Sequence, residues 1–200
     1  MAGVGWMETS MRWRSLGPVL VAHAATWLAM VGFARVADLP AGVPLALPGA
    51  HGLPHAAAFN LLAFVLPGLV LAVVAWRARV RWWPDAGLAI GIALRLWLLA
   101  ALLFALQGAL PLDAGDLDGG GSRAHASAWM LWALAFGAGA ALAAIAMPGV
   151  RLVSLLAALA VVAALASPAV AAAGAADRVL LLAWCGWTAW LTWRLPRRVG

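Results

Sequence analysis

The chain has 200 residues, 66% of them hydrophobic and only 10% charged. A soluble domain carries about 25% charged residues, and a globule this small needs polar cover, so most of this chain has lipid as its solvent. The net charge of +6 comes from arginine alone, in short clusters between apolar runs. That pattern points away from nucleic acid as a partner. The single cysteine, Cys185, excludes a disulfide framework or a thiolate zinc cluster within one chain.

Six apolar runs are long enough to cross roughly 30 Å of hydrocarbon at about 1.5 Å per residue. They are Leu16 to Ala34, Ala56 to Trp76, Ala86 to Leu110, Ala124 to Met147, Leu152 to Ala173 and Val179 to Leu195. The first follows Arg12 and Arg14 and contains Ala22-His23-Ala24, which resembles a signal-peptide cleavage site. The apolar run continues past that point to Ala34, so a retained helix is expected. Pro84, Pro111, Pro148 with Gly149, and Gly174 mark the breaks. In the fourth and fifth runs, Gly137, Gly139 and many alanines permit close helix approach, and Ser167-Pro168 predicts a kink. The last run carries Trp184, Trp187, Trp190 and Trp193, read as a packing or lipid-facing stripe rather than a wall for a flat ligand. No internal repeat with matched motifs is visible.

Orientation follows from the arginines. With the N-terminus inside, Arg12, Arg14, Arg77, Arg79, Arg81, Arg151, Arg194, Arg197 and Arg198 are cytoplasmic, and Arg35, Arg123 and Arg178 are exterior, nine against three. Trp13, Trp76, Trp82, Trp83, Trp190 and Trp193 fall at the cytoplasmic boundary, where amphipathic rings anchor.

The exterior connections, 35–55 and 111–123, are long, and they hold Asp38, Asp113, Asp116 and Asp118 with His51 and His55. Asp177 is exterior too, and His125 opens the fourth run. Long loops in a small protein often carry function. Three chemistries compete there. Asp-x-x-Asp-x-Asp followed by glycine offers oxygen ligands to a divalent cation, and the histidines would suit zinc or manganese, although the Glu that closes an EF-hand is missing. Ser122, His125 and an aspartate such as Asp113 would form a nucleophile, a base and an orienter. Against that set, a Ser before a helix is more simply an N-cap, and acids there favour the helix dipole. In the third reading the loops are structural: aspartates and glycines solvate a turn, and the histidines cap helices or bond to backbone.

Within the membrane, Arg95 lies about 14 Å into the third run. It is read as bonding backbone carbonyls, snorkelling, or meeting the anionic group of a lipid. His23 is at a similar depth. No Asp or Glu lies in a span core, which weighs against a proton-coupled transporter, and no bis-imidazole haem site is apparent.

Two stretches carry a family resemblance: LPGAHGLPHAAAFNLLAFVLPGLVLA, from Leu47 to Ala72, and QGALPLDAGDLDGGGSRAHASAW, from Gln107 to Trp129. They resemble the bacterial and archaeal membrane family called domain of unknown function 998. That family has a Gly-x-Phe-Pro-x-Asp-like turn and then a His opening the next helix. The matching residues here are Gly108, Leu110, Pro111, Asp113 and His125, with Leu in place of Phe. The resemblance implies a six-helix bundle and no established activity.

The expectation is therefore an all-α membrane protein, a bundle of six transmembrane helices in a single domain in the inner membrane, with both termini cytoplasmic. It would bind a lipid or other apolar ligand, or a partner membrane protein or second copy, through its exterior Asp/His face. Ligand-binding candidates are Arg95, His51, His55, Asn60, Asp113, Asp116 and His125. The alternative is a metal-assisted enzyme acting on a lipid or isoprenoid head group, with Asp113, Ser122 and His125 as catalytic candidates and His51, His55, Asp116, Asp118 and His125 as metal ligands. A small transporter comes third. Beyond a divalent metal, the sequence suggests no cofactor.

Overall fold

Apolar sequence in lipid leaves the backbone no partner but itself, and helices satisfy it within each segment. The computed structural model describes residues 3–40, 42–82, 87–166 and 173–195, with side chains in 15–40, 42–81, 87–166 and 174–195. The described residues form helices and no strands. In chain order these are α1 (Gly3–Val36), a 3-10 turn at Leu47–Gly49, α2 (Ala56–Asn60), a π-helical turn (Leu61–Val65) and α3 (Leu66–Trp82). They are followed by α4 (Leu88–Ala109), α5 (Gly120–Ala146), a 3-10 turn at Pro148–Val150, α6 (Arg151–Ala166) and α7 (Ala173–Arg194).

Five rods are long and apolar enough to cross a membrane: Ser15–Val36, Ala56–Arg81, Leu88–Ala109, Gly120–Ala146 and Pro148–Ala166. The sixth rod, α7, has the length, at 22 residues. It is less apolar because Asp177, Arg178 and four tryptophans fall within it. The Ser167-Pro168 kink, the Pro84 break, Trp83, Arg197 and Arg198 lie outside the described residues, as do the side chains of Arg12, Trp13, Arg14 and Trp82.

Each rod packs on the next in sequence, and α7 packs back on α1, so the rods close a ring. In that closure His23 of α1 meets Thr188 of α7, Nε2 to Oγ1 2.7 Å. Thr188 donates its own proton to the Trp184 carbonyl at 2.9 Å, so the imidazole is the donor. His23 therefore faces protein.

Aromatic rings fill the middle. Trp132 and Phe136 stack at 6.1 Å, Phe136 meets Trp184 edge-on at 5.2 Å, and Trp97 meets Trp187 at 6.2 Å. Ser154 of α6 accepts the Trp187 indole N–H at 3.0 Å. Trp184 and Trp187 are thus core residues. A spacing of three drifts by about 60° per step around a helix, which carries Trp190 out to the surface, where Arg194 lies over its ring at 4.9 Å. Trp76 is also exposed and carries Arg79 at 5.2 Å.

The outward faces are apolar. Leu28, Leu69, Leu99, Leu131 and Leu159 are all exposed, the arrangement that lipid requires and water penalises.

The π turn has an identifiable cause. Pro67 has no N–H to give the carbonyl four residues back, and its ring crowds that carbonyl. That residue is Ala63, in the π segment, and Thr26 of α1 donates its hydroxyl to it at 2.9 Å. Nearby, α3 and α4 approach almost backbone to backbone. A Cβ on Gly68 would lie 2.6 Å from the Ala105 nitrogen, and one on Gly108 would lie 2.6 Å from the Asn60 carbonyl oxygen.

Candidate functional site beneath a loop cap

The segment between α1 and α2 folds across one end of the ring as a cap. It leaves α1 through Asp38 and enters α2 through His55, both left-handed, with φ of 51° and 60°. Asn60 donates from Nδ2 to the Gly49 carbonyl at 2.8 Å and fastens the cap to α2. Leu45 N–H reaches Asp177 Oδ2 at 3.4 Å, and Arg178 donates to the Val43 carbonyl at 3.4 Å and to the Gly174 carbonyl, so α7 holds the cap as well.

The second long loop joins it. His51 N–H donates to the Leu112 carbonyl at 2.7 Å, pairing residues 51 and 113 as a lone parallel bridge. The two connections that the sequence set on one side therefore meet, through backbone rather than through side chains.

Helix α5 starts four residues before the expected Ala124, with Gly119 as its N-cap and no side-chain cap bond. Ser122 is thus in the first turn and is not the N-cap. Its buried hydroxyl accepts the Asp113 N–H at 3.0 Å and donates to the Asp116 carbonyl at 2.9 Å. Asp113 turns its own Oδ1 onto the Gly115 N–H at 2.9 Å, a turn typical of Asp. His125 is buried, and its Nδ1 lies 2.8 Å from the Leu110 carbonyl and 3.1 Å from that of Gln107. Both partners only accept, so Nδ1 carries the proton and closes the open carbonyl end of α4.

These bonds show where the structure places the residues of the catalytic and metal readings. Ser122 and His125 each bond to backbone and not to one another, so Asp113, Ser122 and His125 do not form a nucleophile–base–orienter set. Among the described residues no three His, Cys, Asp or Glu side chains group to hold a metal. His51, His55, Asp116 and Asp118 are exposed, and His125 is turned inward. Asn60 and Asp113 act on the cap itself. Arg95 is half-buried in α4, away from the capped end.

The cap borders two spaces. One is a groove of about 290 Å³ between the C-terminal end of α1, the cap and α7. Its walls are apolar and include Trp27, Met30, Val31, Val43, Leu45 and several prolines, and Arg35 and Arg178 stand in its lining. The other is a cavity of about 30 Å³ directly under the cap, lined among others by Phe64, Phe104, Gln107, Trp132 and Asp177. Burial pushes the Asp177 carboxyl above its ordinary 3.8, opposed by the Leu45 N–H and by the charge of Arg178.

Sequence reasoning noted Arg35, Arg178 and Asp177 only as exterior charges, and it assigned nothing to Gln107. Gln107 had a signal: it is an amide inside an apolar run, where polar groups are expensive. The ring with its capped end defines an all-helical bundle with the make-up of a multi-pass membrane protein. The chain matches no protein-family model, no curated protein and no solved structure.

Proposed function

We propose that this is a multi-pass membrane protein that holds an anionic amphiphile, a phospholipid or a molecule of like chemistry, in the groove between α1 and the cap. The observation that carries the reading is an apolar groove of about 290 Å³ with two arginines in its lining. Guanidinium groups pair with phosphate or carboxylate, while the Trp27, Val31 and Val43 walls suit an acyl chain. In the same proposal the capped end faces the exterior, supported by the nine-to-three arginine count, and α7 is the sixth span, held by its neighbours. Kinship with the domain of unknown function 998 family belongs to the proposal too and rests on the two stretches quoted above. The Asp/His face contributes by building the cap rather than by touching ligand.

The test is lipid retention by the detergent-purified protein, read by native mass spectrometry. The wild type is expected to keep phosphatidylglycerol in preference to phosphatidylcholine. Arg35→Gln should lower phosphatidylglycerol retention by up to about fivefold, the scale of one partly exposed ion pair. Equal retention of both lipids by the wild type would overturn the reading.

A further inference from the structure

Two buried donors under the cap have no acceptor. Gln107 and Trp132 are each 2% exposed, both line the small cavity, and Gln107 Nε2 and Trp132 Nε1 lack a hydrogen-bond partner. A buried polar group without a partner is costly. Their convergence follows from helix direction. Side chains lean toward the N-terminus of their helix. Helix α4 runs toward the cap and α5 away from it, so Gln107 leans inward and Trp132 leans outward, to the same level.

We propose that this cavity receives the ester carbonyl oxygen of the amphiphile whose charged head lies in the groove. The inference rests on the groove reading and specifies its ligand as an acyl ester. Three observations support it. Met30 and Leu45 line both spaces, so cavity and groove share a wall that those two side chains form. A carbonyl oxygen has two lone pairs and no hydrogen, so it can accept from Gln107 Nε2 and from Trp132 Nε1 at once. Finally, at about 30 Å³ the cavity suits one oxygen atom and not a head group.

The experiment compares diester with diether phosphatidylglycerol, which share a head group and differ in the carbonyl. Wild-type protein in detergent should retain the diester about fivefold better, the worth of one to two neutral hydrogen bonds. Gln107→Leu combined with Trp132→Phe should erase that preference while keeping diether retention, and Arg35→Gln should lower both lipids equally. Equal retention of the two lipids by the wild type overturns the cavity proposal, as does a preference that survives the double variant. Loss of all head-group dependence overturns the groove reading instead. A second measurement needs no variant: infrared spectroscopy of wild-type protein with carbonyl-13C diester lipid. A carbonyl band shifted to lower frequency on binding supports the proposal, and an unshifted band overturns it.

Discussion

Asp177 shows how a single residue both ties and taxes the cap. Its carboxylate accepts the Leu45 N–H, yet burial raises its pKa, so the folded protein binds a proton more tightly than the unfolded chain does. The contribution of this group to stability is therefore full below the ordinary 3.8 and falls as pH rises through the folded value. Asp177→Asn keeps an acceptor for Leu45 and removes the charge. We expect it to match or exceed the wild type in melting temperature at pH 7 and to flatten the rise in stability on acidification. A variant that melts well below the wild type at pH 7 would show that attraction to Arg178 outweighs desolvation. His125 illustrates the limits of reading chemistry from residue type. A histidine after three aspartates signals a site in one dimension, but the deciding fact is that α4 ends with two carbonyls pointing at it.

At the scale of elements, α4 packs closely on its neighbours at two glycine positions: Gly68 of α3 faces the Ala105 backbone, and Gly108 of α4 faces Asn60 of α2 and the π turn. Gly108→Ala would place a Cβ within 2.6 Å of the Asn60 carbonyl oxygen and 2.9 Å of the Phe64 Cβ. The Val65 Cγ2, at 2.8 Å, can turn aside, but the Asn60 carbonyl and the Phe64 Cβ cannot, so the elements must separate. The expected loss is about 1–3 kcal/mol, measured by unfolding in mixed detergent, and full stability would mean that the π turn absorbs the shift. Element positions were largely legible from hydropathy, because each apolar run had to be helical in lipid. Their ends were not: α5 begins at Gly120, since the glycines and Ser122 of its first turn carry no hydropathy signal. The π turn was written in Pro67, but not the Thr26 hydroxyl, on a different helix, that donates to the Ala63 carbonyl.

For the whole molecule, the sequence foretold long apolar helices, of which five have the length and composition to cross a membrane, and it set the two long loops at one end of them, where they meet. It did not foretell that the rods form a closed ring, since periodicity reports which face is apolar and not which helix meets it. Nor did it separate Trp184 and Trp187, which build the core, from Trp190, which reaches the surface. The groove was hidden for the same reason: its arginines are more than a hundred positions apart and meet only because α7 returns to α1. The polar clasp at that seam can be measured. Thr188→Val removes the acceptor for His23 and preserves shape, and should cost about 0.6–2 kcal/mol, the range for interhelical hydrogen bonds in membranes. If unfolding stability is unchanged, the aromatic core alone holds the seam.

Ring closure also bears on how the protein is made. Helix α7 follows the other five rods in the chain and is the one that hydropathy alone commends least, yet it delivers Trp184 and Trp187 to the core. Until it emerges from the ribosome, Trp132 and Phe136 have no rings of α7 to pack against, and the seam on α1 stands open. Its docking thus depends on a socket already assembled by its predecessors, so damage to α1 or α5 would appear first as failure of α7 to pack against them.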